Sequence, residues 1–179
     1  MKAALLTIAL TVGILGFSFA TGDIFQAART NDTETLIEYI NGNGNIDTMN
    51  TNGYSLLLLA SYYNSFEAAE LLIENHANLE IQDRTGNTAL IAASFKGLEP
   101  LVSLLLEQGA NPNATNNRNA NALLFAATFG HEKVVEVLIN NQINLDQRDN
   151  NGRSALDYAM TTENSAMIYM LKENLHASR

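Results

Sequence analysis

The side chains best able to do chemistry are three histidines, His76, His131 and His176, and nineteen carboxylates; there is no cysteine. The missing thiol excludes a disulfide framework, a cysteine nucleophile and the cysteine-containing zinc sites. It also suits an oxidising compartment, where a stray thiol is a hazard. No histidine pair brackets a glutamate at metalloprotease spacing, no serine sits in a Gly-x-Ser-x-Gly turn, and there is no P-loop lysine. His76 falls in a loop and His176 is near the end of the chain, where both are expected to be solvated. Glu67, Glu70 and Glu74, like Glu132 and Glu136, are three or four residues apart. That spacing lays them along one solvated helix face and does not build an acid–base pair. Asp146, Asp149 and Asp157 lack the spacing of an EF-hand loop. Asparagine-rich loops are read as turns. The chain is therefore expected to be no enzyme and to use no cofactor or metal.

The first twenty residues differ in kind from the rest. Met1 and Lys2 give a short positive start, Ala3 to Phe17 is uncharged and mainly apolar, and Ser18 and Ala20 place small residues ahead of a cut before Thr21. That is the layout of a secretory signal peptide over 1–20, with a mature region over 21–179. An uncleaved anchor is the alternative, because Ala3 to Ala20 approaches the length that spans a bilayer. Cleavage is preferred because small residues and then polar Thr21-Gly22-Asp23 follow directly. No cysteine follows Ala20, which removes attachment as a bacterial lipoprotein. The formal charge of −9 becomes −10 once Lys2 is lost. Phosphates and anionic headgroups repel such a chain, so nucleic acid and membrane surfaces are not expected partners.

From Thr51 onward the sequence repeats every 33 residues without a gap, as 51–83, 84–116, 117–149 and a partial 150–179, behind a divergent block at about 22–50. The seventh position reads Ile24, Leu57, Leu90, Leu123, Leu156 and the tenth Ala27, Ala60, Ala93, Ala126, Ala159. The twenty-second reads Tyr39, Leu72, Leu105, Leu138, Leu171, and the twenty-eighth Asn45, Asn78, Asn111, Asn144. A fixed period of this size means a solenoid. Ser55, Thr88, Asn121 and Ser154 stand as helix N-caps ahead of apolar runs. Gly53, Gly86 and Gly152, with Asn119 in the same slot, suit a turn at positive φ. Second apolar stretches, such as Ala68 to Ile73 and Leu101 to Leu106, read as second helices, with Pro100 near the start of one. Each unit is thus turn, helix, tight turn, helix and polar loop. The alanine column marks close helix packing, and the leucine column marks core.

Thr88-Ala89-Leu90-Ile91-Ala92-Ala93, Gly130-His131 before Val134-Val135, and Leu104-Leu105-Leu106-Glu107-Gln108-Gly109-Ala110-Asn111-Pro112-Asn113 resemble the ankyrin-repeat pattern across residues 22–179. The resemblance implies an all-α fold: an ankyrin-repeat solenoid of about five helix-turn-helix repeats with short loop or hairpin fingers, the first and last blocks acting as caps. It also implies a structural role for His131. Departures are visible, since Leu56, Ala89, Ala122 and Ala155 replace the family's proline, and no block has its histidine in that turn. His76 and Gln142 stand where Gly109 keeps the family's glycine, which predicts strain in those two turns.

The same resemblance places partner contacts on the finger tips and the ends of the first helices, which line a concave groove. Here the helix ends are Arg29-Thr30, Tyr62-Tyr63, Phe95-Lys96, Thr128-Phe129 and Thr161-Thr162. Tip positions include Thr51, Asn52, Tyr54, Arg84, Thr85, Asn87, Asn117, Arg118, Asn150, Asn151 and Arg153. The partner-binding set expected is Arg29, Tyr54, Tyr62, Tyr63, Arg84, Phe95, Lys96, Arg118, Phe129 and Arg153. Tyr62, Tyr63, Phe95 and Phe129 form an aromatic ladder of the kind that supplies interface hot spots; packing on neighbouring helices as extra core is the alternative. Basic residues, Arg148 among them, collect on groove and loop positions while acidic ones crowd the second helices, so a surface with acidic and apolar groups is the expected occupant. Short exported bacterial proteins of this family imply a periplasmic, monomeric protein that binds and restrains an exported enzyme such as a cell-wall or lipid hydrolase, for self-protection. Support of an exported catalase in oxidative defence, or action as a secreted effector on a host protein, are the alternatives.

Overall fold

The computed structural model describes residues 21–177, so the signal segment expected at 1–20 lies outside the described residues. Ten helices follow in five antiparallel pairs: Thr21–Thr30 (α1) with Thr33–Asn41 (α2), Leu56–Tyr63 (α3) with Phe66–Glu74 (α4), and Ala89–Lys96 (α5) with Glu99–Glu107 (α6). Ala122–Thr128 (α7) pairs with Glu132–Asn140 (α8), and Ala155–Thr161 (α9) with Ser165–Ala177 (α10). The odd-numbered helices stack on one another in chain order, and the even-numbered ones form a second layer behind them. No strand forms among the described residues; the finger side carries a single isolated bridge, Met49 to Ser55.

Local chemistry sets each boundary. Ser55, Thr88, Asn121 and Ser154 are the N-caps of α3, α5, α7 and α9, each side chain accepting from the N–H three residues on. Ser154 adds a reciprocal box with Asp157. Pro100 sits in the first turn of α6, where its absent N–H leaves no bond broken. The alanine column is fully or almost fully buried at Ala27, Ala60, Ala93, Ala126 and Ala159, and it lets neighbouring first helices approach closely. Leu72, Leu105, Leu138 and Leu171 fill the space between the layers. The columns loosen at the ends of the array. Tyr39 is half-buried, its ring covering Gly44, and Leu156 is half-buried in the last repeat. His76 and Gln142 do adopt positive φ, 66° and 59°, where Gly109 has 91°.

The fingers are held from inside by a column that the period also exposes: Asn50, Asp83, Asn116 and Asp149. In every case the side-chain Oδ1 accepts from the N–H groups two and four residues on, at 2.8–3.1 Å. Gly53, Gly86, Asn119 and Gly152 complete these turns at positive φ. Successive fingers are then tied together. The Asn117 N–H donates to Thr85 O at 3.0 Å, and the Asn150 N–H to Arg118 O at 2.9 Å. Behind them the recurring asparagines link repeat to repeat: Asn78 N–H donates to Asp47, Asn111 N–H to Glu80 and Asn144 N–H to Asn113, at 2.7–2.9 Å.

Candidate functional site

A cleft of about 580 Å³ lies between the fingers and the ends of the first helices, over the N-terminal and central repeats. Leu58, Leu59, Ile91, Ala92 and Phe125 belong to its inner surface; Tyr62, Tyr63 and Phe95 stand at the helix ends, with Tyr54, Arg84, Asn87, Asn117 and Arg118 on the fingers. The walls exist because short first helices end early, at Asn64 with φ 60° and Gly97 with φ 72°, so each chain turns back before burying its last aromatic residue.

Seven of the ten residues expected to contact a partner line this cleft: Arg29, Tyr54, Tyr62, Tyr63, Arg84, Phe95 and Arg118. Three stand outside it. Lys96 places its Nζ 5.0 Å from the Tyr62 ring centroid. Phe129 packs edge-on against Phe95 at 4.7 Å and stacks on His131 at 6.3 Å. Arg153 belongs to the last finger, its guanidinium 5.7 Å from the Tyr158 ring. The rings do run as a continuous series: Tyr63 edge-on to Tyr62 at 5.2 Å, Tyr62 stacked on Phe95 at 6.1 Å, Phe95 against Phe125 at 6.0 Å. Phe95 is half-buried and shared with the core through Phe125. Tyr62, Tyr63 and Phe129 remain 37%, 53% and 51% exposed, more than stacking alone would leave.

His131 is the N-terminal cap residue of α8, and its Nε2 lies 3.0 Å from Phe95 O in the preceding repeat. It fixes the chain at the ring that joins core to cleft. Ser65 does the same two repeats earlier, its hydroxyl donating to Arg29 O at 2.9 Å. His76 and His176 are exposed. Among the described residues no group of three histidine or carboxylate side chains is placed to hold a metal ion, and no helix is long and apolar enough to cross a membrane.

Charge is arranged unevenly. Arg29, Arg84 and Arg118 line the cleft against one carboxylate, Asp83. Asp83 is spoken for: besides two backbone N–H groups it accepts from the Thr85 hydroxyl at 2.7 Å. Arg84 donates to Thr51 O, and Arg29 lies 5.7 Å from the centroid of the Tyr63 ring. The one ion pair among the described residues, Arg148 to Asp157 at 3.1 Å, is in the last repeat. There, backbone and hydroxyl hydrogen bonds from Ser154 hold the Asp157 carboxyl below its ordinary range, helped by Arg148. Burial pushes Asp149 upward, but bonds from Tyr158 Oη and the N–H groups of Arg153 and Asn151 outweigh it and leave that carboxyl low as well. The bond to Asp149 correspondingly raises Tyr158.

Residue spacing alone did not mark Phe125, Asp83, Asn116 or Ile91 as part of this surface. Phe125 is partly buried and packs against the core. A signal for Asp83 and Asn116 was present in the recurrence of Asn50, Asp83, Asn116 and Asp149 every 33 residues.

The family model described as ankyrin repeats (three copies) matches residues 24–116 and again 92–178. No curated protein gives a match. Together the two matched segments span nearly all of the helical array, and such repeats are in general non-enzymatic modules for protein–protein interaction. The chain belongs to the ankyrin-repeat family.

Proposed function

We propose that this protein is exported to the periplasm, where its cleft binds and restrains an exported enzyme of the same cell, such as a cell-wall or lipid hydrolase. The observation that carries the binding part is the series Tyr63, Tyr62, Phe95 and Phe129, set at the ends of stacked first helices and left substantially exposed at three of its four rings. A preformed surface of this kind loses little conformational entropy on association, so its contact energy goes into affinity. The apolar, uncharged run after Lys2 and the small residues at Ser18 and Ala20 support export.

The test is to express the full chain with an affinity tag after Arg179, recover it from periplasmic extract, and identify what co-purifies in stable proportion. The expected result is one exported hydrolase, slowed when the chain is added back, together with a chain whose intact mass begins at Thr21. Replacing Tyr62, Phe95 and Phe129 together by alanine should abolish recovery while the helical spectrum persists. Undiminished recovery with a folded triple variant would sink the reading, and a catalase in place of the hydrolase would redirect it to oxidative defence.

A further inference from the structure

Position nine of the repeat reads Leu59, Ala92, Phe125 across the three stacked helices α3, α5 and α7, and all three residues line the cleft. Large side chains flank a methyl group, so at this position the cleft wall carries its smallest side chain at Ala92, itself 6% exposed, and that is where an inserted side chain displaces least. Around Ala92 the charge is one-sided, because Arg84 and Arg118 have no carboxylate partner and Asp83 is occupied by its own finger. Guanidinium groups with no carboxylate partner, although Arg84 also donates to Thr51 O, beside a small apolar side chain match a carboxylate next to a bulky apolar one.

Resting on the binding reading above, we propose that the occupant of the cleft is an extended acidic segment of the partner protein, with one aromatic or large aliphatic side chain seated over Ala92 and neighbouring carboxylates on Arg84 and Arg118. Arginine and stacked rings would also suit single-stranded nucleic acid. The balance of charge favours the peptide. The chain as a whole carries −9, and the cleft offers three arginines only, too few to offset repulsion along a phosphate backbone. An acidic peptide needs a few local pairs.

Ala92→Leu should enlarge the side chain at this position without unfolding the array, since leucine and phenylalanine already occupy it in the adjoining repeats. Three probes decide the matter by fluorescence anisotropy: a labelled peptide with a central phenylalanine flanked by aspartates, its asparagine counterpart, and its lysine counterpart. The aspartate peptide is expected to bind at least about tenfold more tightly than the other two. Ala92→Leu should weaken it about tenfold, and the double change Arg84→Gln with Arg118→Gln should erase the preference for aspartate over asparagine. Equal binding of the three peptides, no measurable binding of any, an unaffected Ala92→Leu variant, or tighter binding of an oligothymidylate probe would each overturn the proposal. A natural partner recovered equally well by the folded Ala92→Leu and double arginine variants would overturn it too, yet leave the interaction reading intact. If the unaltered chain recovers no partner at all, it is the broader reading that fails.

Discussion

Position eleven of the repeat shows how finely single side chains tune this scaffold. It reads Ala28, Ser61, Ser94 and Ala127, each fully buried, and Met160, exposed, in the last repeat. The hydroxyls of Ser61 and Ser94 have no hydrogen-bond partner, and a buried polar group left unpaired is costly. Alanine already fits this position in two repeats, so Ser94→Ala should stabilise the chain by about 1 kcal/mol, read as a higher urea midpoint with unchanged slope. Gly97 makes the opposite case. It sits at φ 72°, and an added Cβ would lie 2.5 Å from His131 Nδ1. Gly97→Ala should therefore destabilise by roughly 2 kcal/mol, from backbone strain together with displacement of the imidazole. Because that imidazole holds the Phe95 carbonyl, the same substitution should broaden or shift the Phe95 and Phe129 ring resonances, whereas Ser94→Ala should leave them in place.

Each helix pair in turn depends on a few positions that the period fixes. Leu105, on α6, is fully buried, and Leu105→Ala should cost about 2–5 kcal/mol in equilibrium denaturation. At this scale sequence and structure agree closely, because a 33-residue register forces the caps, the alanine column and the leucine column into view together. The site is another matter. Tyr62, Tyr63 and Phe95 could be placed at helix ends from the register, but no spacing rule tells a ring that faces the cleft from one that closes over the core. Phe125 does both, and so escaped notice. Phe129 and Arg153 lie outside the cleft because it is centred on the earlier repeats, whereas Lys96, beside Phe95, turns its ammonium onto the Tyr62 ring instead. What the period repeats is the frame, and a site consists of departures from it.

The stability of a stacked array is close to a sum over its units and the surfaces between them, so a local weakness need not spread. The last repeat supplies one. Asp149 and Asp157 both titrate below their ordinary value of 3.8 in the folded chain. A lowered folded-state value means the stabilisation is complete above the unfolded value and disappears as pH falls through the folded one. Asp32 and Glu67 near the other end are lowered too, so acid should weaken both ends of the array before the central repeat, seen as early loss of amide exchange protection over 24–74 and 150–177. Asp149→Asn should reduce that sensitivity in the last repeat while keeping the finger, because Asn50 and Asn116 hold the equivalent turns. That last point reaches further. One side-chain oxygen at the base of each finger secures the turn, while apex side chains such as Arg84, Asn117 and Asn150 tie each finger to the one before it. The apex pairs Thr51-Asn52, Arg84-Thr85, Asn117-Arg118 and Asn150-Asn151 are thus set like type in a locked frame: exchanging one side chain changes what the finger presents and costs only its link to the neighbouring finger, while the turn beneath it stays closed.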